Sequence, residues 1–520
     1  MTTKKIILIV LTVVSLIPVI LSLIGSINQP QVQSNLQLYQ TNLVLQASEF
    51  SGENIREFEE IRDSVLGKNP YKAAFDQYKE ARKLSQKNLA QLKNELQRTN
   101  EQSKIIKESE SPINSLPLFS GSAEQEKLQQ EINQQREEID KLDIKMGLLE
   151  IAQGKEKQAL EQWENVKLLS SLPSLKYTAD VLSNLWSDQV LVLPNSELTI
   201  QEHLNSWFRY YSLNRLYEVE NRKDDLIILQ EKQQELAKQG IIKLTFVAII
   251  PVLGGLIGVG IIIFSLIQLF LKKESGILAI DKRFKWETPW TIEIPWQVFI
   301  VGFFFFGQIV LPILFTFLSV DLTQLSLRGK AVYVLSSYVT MSLGGIGVLY
   351  LSIKPFFPLP KDWFKFKWLS NWMLWGFGGY LVALPLVVIV SLINQNIWDG
   401  QGGSNPLLSL ALEGQDLVVL AIFYFTAAIA APFYEEIMFR GFLLPSLTRY
   451  IPLWGAIGIS SFIFALAHLN LSEVLPLTIL GVVLGVVYTR SRNLLSSMLL
   501  HSLWNSGTLI SLFLLGSGGN

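Results

Sequence analysis

The strongest constraint on this chain is a succession of apolar segments, each near the length of a bilayer-spanning helix, that starts after residue 240 and runs almost to the end. These are 242–271, 296–320, 331–353, 371–393, 417–433, 453–469, 474–488 and 494–515. Roughly 20 apolar residues are needed per helical crossing, and only a helix bonds all its backbone groups within one segment. Another apolar run, 6–27, follows Lys4 and Lys5. It reads as a retained anchor: it is long for a signal-peptide core and no small-x-small cleavage site follows. The fold class expected is therefore all-α, a polytopic transmembrane helical bundle of about nine spans with an extramembrane helical domain near its N-terminus. The domains expected are an anchor at 1–28, an extramembrane domain at 29–240, transmembrane helices with loops at 241–370 and a final membrane core at 371–520.

Loop charges give an orientation. Lys272, Lys273, Lys282, Arg283 and Lys285 follow the second span, Lys354, Lys361, Lys365 and Lys367 the fourth, and Arg490 and Arg492 the eighth. All fall on the side of Lys4 and Lys5, which the positive-inside rule makes cytoplasmic or its equivalent. The loop 394–416 has no Lys or Arg and belongs on the other side, as does the domain 29–240, which is thus expected to be extracytoplasmic. Trp286, Trp290, Trp296, Trp363 and Trp368 fall where interfacial anchors are expected.

Within 29–240, Gln, Glu and Lys dominate and apolar residues recur at helical spacing. Leu128, Ile132, Gln135, Ile139, Leu142, Met146 and Leu149 alternate steps of four and three, the seam of a coiled coil or an antiparallel hairpin. Met146–Gly147 with Ala159, Trp163 and Val166 also has the spacing of one tetratricopeptide unit, with Glu150 where an aromatic is usual. The segment 112–122, with Pro112, Pro117 and Gly121, reads as a linker. A solvated helical bundle is the plainest reading, and such a surface can recruit a protein partner.

Composition excludes several chemistries. The chain has no cysteine, so thiolate nucleophiles, disulfides and Cys-ligated metals are absent. Its formal net charge is -1, and no basic stripe interleaved with aromatics is present, so nucleic acid is not expected as a partner. An ionisable side chain at a span centre costs roughly 2.5–3.5 kcal/mol, so several in one bundle need a reason. Glu435, Glu436, Arg440, His468 and His501 are those residues, and they include two of the three histidines. Glu436 and Arg440 are i and i+4 and can pair, whereas Glu435 points about 100° away. Phe464 and His468 share a face by the same spacing, as do His501 and Asn505. If 417–447 is one helix, Glu435 lies about 18 Å from its end, His468 about 22 Å from a start near Leu453 and His501 about 12 Å from one near Asn493. Gly481 and Gly485 read as points of close helix packing.

Three of these groups carry a resemblance. Glu435-Glu436-Ile437-Met438-Phe439-Arg440 matches EExxxR, Phe464-Ala465-Leu466-Ala467-His468 matches FxxxH, and His501-Ser502-Leu503-Trp504-Asn505 matches HxxxN. In that order, each in an apolar segment, they resemble the CPBP intramembrane proteases, the group containing CAAX prenyl protease 2 and bacteriocin-processing proteins. The resemblance covers about 372–515 and does not extend to the Gln-rich domain. It implies peptide-bond hydrolysis on a membrane-associated protein or peptide substrate. Glu435 with His468 would activate a water, His501 and Asn505 would stabilise the oxyanion, and Glu436 with Arg440 would brace the site. A buried carboxylate base and preorganised donors are reasonable means to that end.

Family members are often labelled metalloproteases, and Glu435, His468 and His501 could hold zinc. No HExxH pair lies on one helix, however, and the glutamate-dependent reading, preferred here, needs no cofactor. Two rival functions remain. One is a catalytically inactive scaffold or immunity-like protein, against which the intact motifs argue. The other is a proton-coupled transporter, which would call for internal repeats with broken helices that the sequence lacks.

Overall fold

The structure, a computed structural model, describes residues 2–27, 29, 31, 33–51, 69–109, 120–272, 276, 278, 285–318, 325–404 and 416–516. Among them every regular element is helical. The linker expected at 112–122 lies outside the described residues as far as 119, as do Lys273, Lys282, Arg283 and the stretch 405–415 of the uncharged loop. The chain divides into two compact units, Met1–Val32 with Phe246–Ser517, and Gln33–Thr245.

Among the described residues eight helices are long and apolar enough to cross a membrane: Thr3–Ser26, Lys223–Leu271, Glu293–Phe317, Leu327–Phe356, Trp372–Trp398, Leu417–Leu447, Leu471–Ser491 and Leu494–Leu515. The ninth crossing expected from sequence is a shorter helix, Leu453–Leu466, of 14 residues. At ~1.5 Å per residue it reaches about 21 Å, well short of a ~30 Å hydrocarbon core. The apolar run continues to Leu469, but the chain turns at Ala467–His468, and Leu469 takes φ 64°. The sixth segment, by contrast, is longer than its apolar run. The helix carries on from Leu417 to Leu447 through both glutamates.

Contacts between helix ends fix the alternation of directions. At one end, Lys5 pairs with Glu293 at 2.8 Å, the Trp286 amide donates to Thr448 Oγ1 at 3.1 Å and the Leu494 amide to the Lys365 carbonyl at 3.0 Å. At the other, the Leu471 amide donates to Ser26 Oγ at 3.2 Å, Asn394 Nδ2 to the Ser472 carbonyl at 2.6 Å and the Gly403 amide to the Gln29 carbonyl at 2.9 Å. Irregular backbone inside a membrane bundle must find such partners, because lipid supplies none.

Three of the tryptophans expected as interfacial anchors are buried. Trp286, Trp290 and Trp363 are 3%, 1% and 6% exposed. The segment around them lies across the end of the Leu417–Leu447 helix, where Trp290 Nε1 donates to Ser446 Oγ at 2.9 Å and Arg449 reaches the Trp290 carbonyl at 2.6 Å. Trp286 stacks on Tyr488 and carries the Arg492 guanidinium 4.1 Å from its ring centroid. Their rings thus fill the helix junction, while Trp368 stays exposed.

In the Gln33–Thr245 unit, the helix Ser120–Ala152 packs antiparallel to Pro70–Ser109, with the Arg82–Asp143 ion pair between them. Leu142, Met146 and Leu149 of the expected seam enter the core. Glu156–Leu169 folds back on the same helix. Trp163 is fully buried over Gly147 and donates Nε1 to the Ile144 carbonyl at 3.0 Å, an approach that only a residue without Cβ permits. Glu150 is buried beside this pair, and burial pushes its carboxyl above the ordinary range.

Candidate active site

The helix Leu417–Leu447 owes its shape to two wide, π-type turns, Phe425–Ala430 and Ile437–Leu443, on either side of the segment Ala431–Glu436. Pro432 sits between them. Having no N–H, it leaves the carbonyls four and five residues earlier without their usual backbone donor. Those are Ala428 and Ala427, and both are met from the helix Leu494–Gly516: Ser502 Oγ donates to Ala428, and Asn505 Nδ2 to Ala427 at 2.7 Å. One amide hydrogen of Asn505 is thus committed to the backbone of the helix that carries the glutamates. The exchange also sets His501, one turn before Asn505, against those glutamates.

Glu436 is 0% exposed and takes two donors on one oxygen. Arg440 Nη1 reaches Oε1 at 2.9 Å, and His501 Nδ1 lies 3.0 Å from the same atom. Arg440 is 1% exposed, spends Nη2 on the Gly481 carbonyl at 3.2 Å and places its guanidinium 4.4 Å from the Phe464 ring centroid. Gly481 and Gly485 lie where a Cβ would press on Ser461 and Ile457, so both mark close helix approach. The i, i+4 pair read from sequence is therefore a fully buried ion pair with an imidazole as third member.

Glu435 points elsewhere. Its Oε1 accepts from the Tyr338 hydroxyl at 2.9 Å. Its Oε2 is buried with no hydrogen-bond partner and stands 3.8 Å from His501 Nε2. His501 therefore presents one ring nitrogen to each glutamate. The separation on the Glu435 side is too long for a direct hydrogen bond.

His468, in the turn after Leu453–Leu466, is fixed through Nδ1 to the Phe464 carbonyl at 2.9 Å. A carbonyl can only accept, so Nδ1 carries a proton and Nε2 faces away from that bond. Phe464 links the two histidines, meeting His468 and His501 edge to face at centroid distances of 4.9 and 5.7 Å. Phe439 completes the cluster at 5.3 Å from Phe464. Direct contacts thus unite Glu435, Glu436, Arg440 and His501, while His468 joins through Phe464 and Asn505 through the Ala427 carbonyl. Among the described residues no group of three His, Asp or Glu side chains that could hold a metal ion is found.

Tyr338 had no motif to mark it. It belongs to the helix Leu327–Ile353, nearly a hundred residues before Glu435 in sequence. The one signal was its place as a polar-tipped ring in an apolar segment, where such a tip needs a partner.

Residues 417–507 match a family model described as Type II CAAX prenyl endopeptidase Rce1-like. The matched span contains Glu435, Glu436, Arg440, His468, His501 and Asn505. No curated protein and no solved structure matches the chain.

Proposed function

We propose, from the Rce1-like domain at residues 417–507, that this multi-pass membrane protein is an intramembrane endopeptidase acting on membrane-associated protein or peptide substrates. The observation that carries the reading is the placement of His501 between two glutamates in different roles. Glu436, fully buried, binds both Arg440 and His501 through Oε1 and leaves Oε2 without a partner, whereas Glu435, only partly buried, accepts from Tyr338 on Oε1 and turns an unpartnered Oε2 toward the other nitrogen of the same imidazole.

In this reading Glu435 Oε2 is the general base. A water entering between it and the histidines gives up a proton to the carboxylate, and its oxygen attacks the scissile carbonyl. The C–N bond then breaks as the proton passes from Glu435 to the departing amine. His468, with Nδ1 occupied by the backbone, offers Nε2 to orient the water. His501 and the uncommitted amide hydrogen of Asn505 face the developing oxyanion, where fixed donors in a dry site act mainly on the transition state. Arg440 and Glu436 hold His501 in place and take no part in bond making. No step calls for a metal.

The domain Gln33–Thr245 is proposed to recruit a protein partner or substrate on the extracytoplasmic side. The test of the protease reading is comparative membrane proteomics of cells carrying wild type or Glu435→Gln. Fragments dependent on the wild type should disappear in the variant while the protein itself accumulates normally. Cleavage within about twofold of wild type in the variant would remove Glu435 as the base.

A further inference from the structure

We infer that Tyr338 is a positioning residue for Glu435, supplied to the site by a helix outside the Rce1-like segment; the inference rests on the protease reading above. Glu435 is partly buried, and its two oxygens differ in a way that general-base chemistry can use. Oε1 is tied to the Tyr338 hydroxyl at 2.9 Å, and Oε2 has no partner and faces His501 Nε2. A glutamate has three rotatable side-chain bonds, and one fixed oxygen turns a swinging carboxylate into an aimed one. With Oε1 held by Tyr338, Oε2 is the oxygen turned toward the histidine.

The fold brings Tyr338 there by close helix approach. Seven residues beyond it on the same face is Gly345, where an added Cβ would lie 2.2 Å from the Tyr434 hydroxyl. At Gly344 a Cβ would lie 2.5 Å from the Phe306 ring. These two glycines let Leu327–Ile353 press against both Leu417–Leu447 and Glu293–Phe317. The Tyr338 ring then meets Tyr434 edge to face at 6.2 Å, with its hydroxyl past that ring at Glu435. Tyr434 neighbours Glu435 in sequence, yet its own hydroxyl is buried without a hydrogen-bond partner. Two tyrosines thus flank the same carboxylate and only one bonds to it, which supplies an internal control.

The experiment uses full-length protein in detergent and the peptide substrate identified by proteomics. Tyr338→Phe should lower kcat about 10- to 100-fold with KM within about twofold, since loss of aim is felt in the reacting geometry more than in binding. Tyr434→Phe should stay within about twofold on both parameters. A second readout needs no turnover: the infrared carboxyl band of Glu435, identified by its loss in Glu435→Gln, should shift in Tyr338→Phe and not in Tyr434→Phe. Cleavage by Tyr338→Phe at the wild-type rate, or an unshifted band, overturns the assignment. Equal losses in both tyrosine variants do the same, because they would mark general packing damage. A wild type with no Glu435-dependent cleavage of any substrate instead brings down the protease reading, and this inference with it.

Discussion

Glu436 and Glu435 are neighbours in sequence with opposite requirements, and substitution should separate them. Glu436 lies in a buried triad with Arg440 and His501, so removing one partner leaves charge stranded in the bundle at a cost of about 3–5 kcal/mol. Glu436→Gln and Arg440→Ala should therefore reduce accumulation in the membrane fraction as well as activity, read by immunoblot and by thermal unfolding in detergent. Normal accumulation of both would show that the triad does not hold the fold. Asn505→Ala should lower kcat about 10²–10³-fold if the amide serves the oxyanion. It should also lose some stability, because the Ala427 carbonyl loses its donor. A stability loss with kcat unchanged would leave Asn505 a purely structural role. The metal-free reading is tested on the same proteins. Zinc bound at one equivalent, and lost together with activity in His468→Ala and His501→Ala, would overturn it. Much at this scale was legible. The Glu436–Arg440 pair followed from i, i+4 spacing, and the separate direction of Glu435 from the helical angle. The link from His501 to both glutamates and the bond from Tyr338 were not legible, because they join residues 65 and 97 positions apart and no local rule spans that distance.

Among the elements, the periodic seam buried as its spacing requires, and those shaped by neighbours departed from their expected bounds. The seam residues Leu142, Met146 and Leu149 buried as their spacing requires. The Leu417–Leu447 helix outran its apolar stretch because Arg440 and Glu436 neutralise one another within it, which a count of apolar residues cannot register. The Leu453–Leu466 helix stopped short because His468 turns back to the Phe464 carbonyl. Trp286, Trp290 and Trp363 are buried rather than exposed because helix ends offered them partners. The hairpin in the Gln33–Thr245 unit provides a prediction. A Cβ at Gly147 would lie 2.3 Å from Trp163 Nε1. Gly147→Ala must displace a buried indole and strain its bond to Ile144, for about 1–3 kcal/mol of overpacking. Calorimetry of the full-length protein should show a lower unfolding midpoint, and limited proteolysis should cut this unit sooner. Gly458→Ala, with nothing within 4 Å of the added methyl, should change neither. An unshifted midpoint in Gly147→Ala would mean that the two helices do not meet at this residue.

For the whole molecule, the remaining question is which side of the membrane each end faces. Helix-end contacts place Lys5, Lys365 and Arg449 at one end of the Met1–Val32 and Phe246–Ser517 unit, and Ser26, Gly403 and Asn470 at the other. Lys5, Lys365 and Arg449 gather at the first end, while Arg328 pairs with Asp416 at the other. On the positive-inside rule we propose that the first end faces the cytoplasm or its equivalent. On the same rule the Gln-rich unit is proposed to lie in the opposite compartment. The chain contains no cysteine, so single cysteines report without background. Gln134→Cys and Lys361→Cys replace exposed residues and should leave the fold intact. In intact cells an impermeant thiol reagent should label position 134 and spare position 361; in inverted vesicles the pattern should reverse. Labelling of both from one side would break the orientation. It would also move the proposed partner of the Gln-rich unit to the face that carries Lys361.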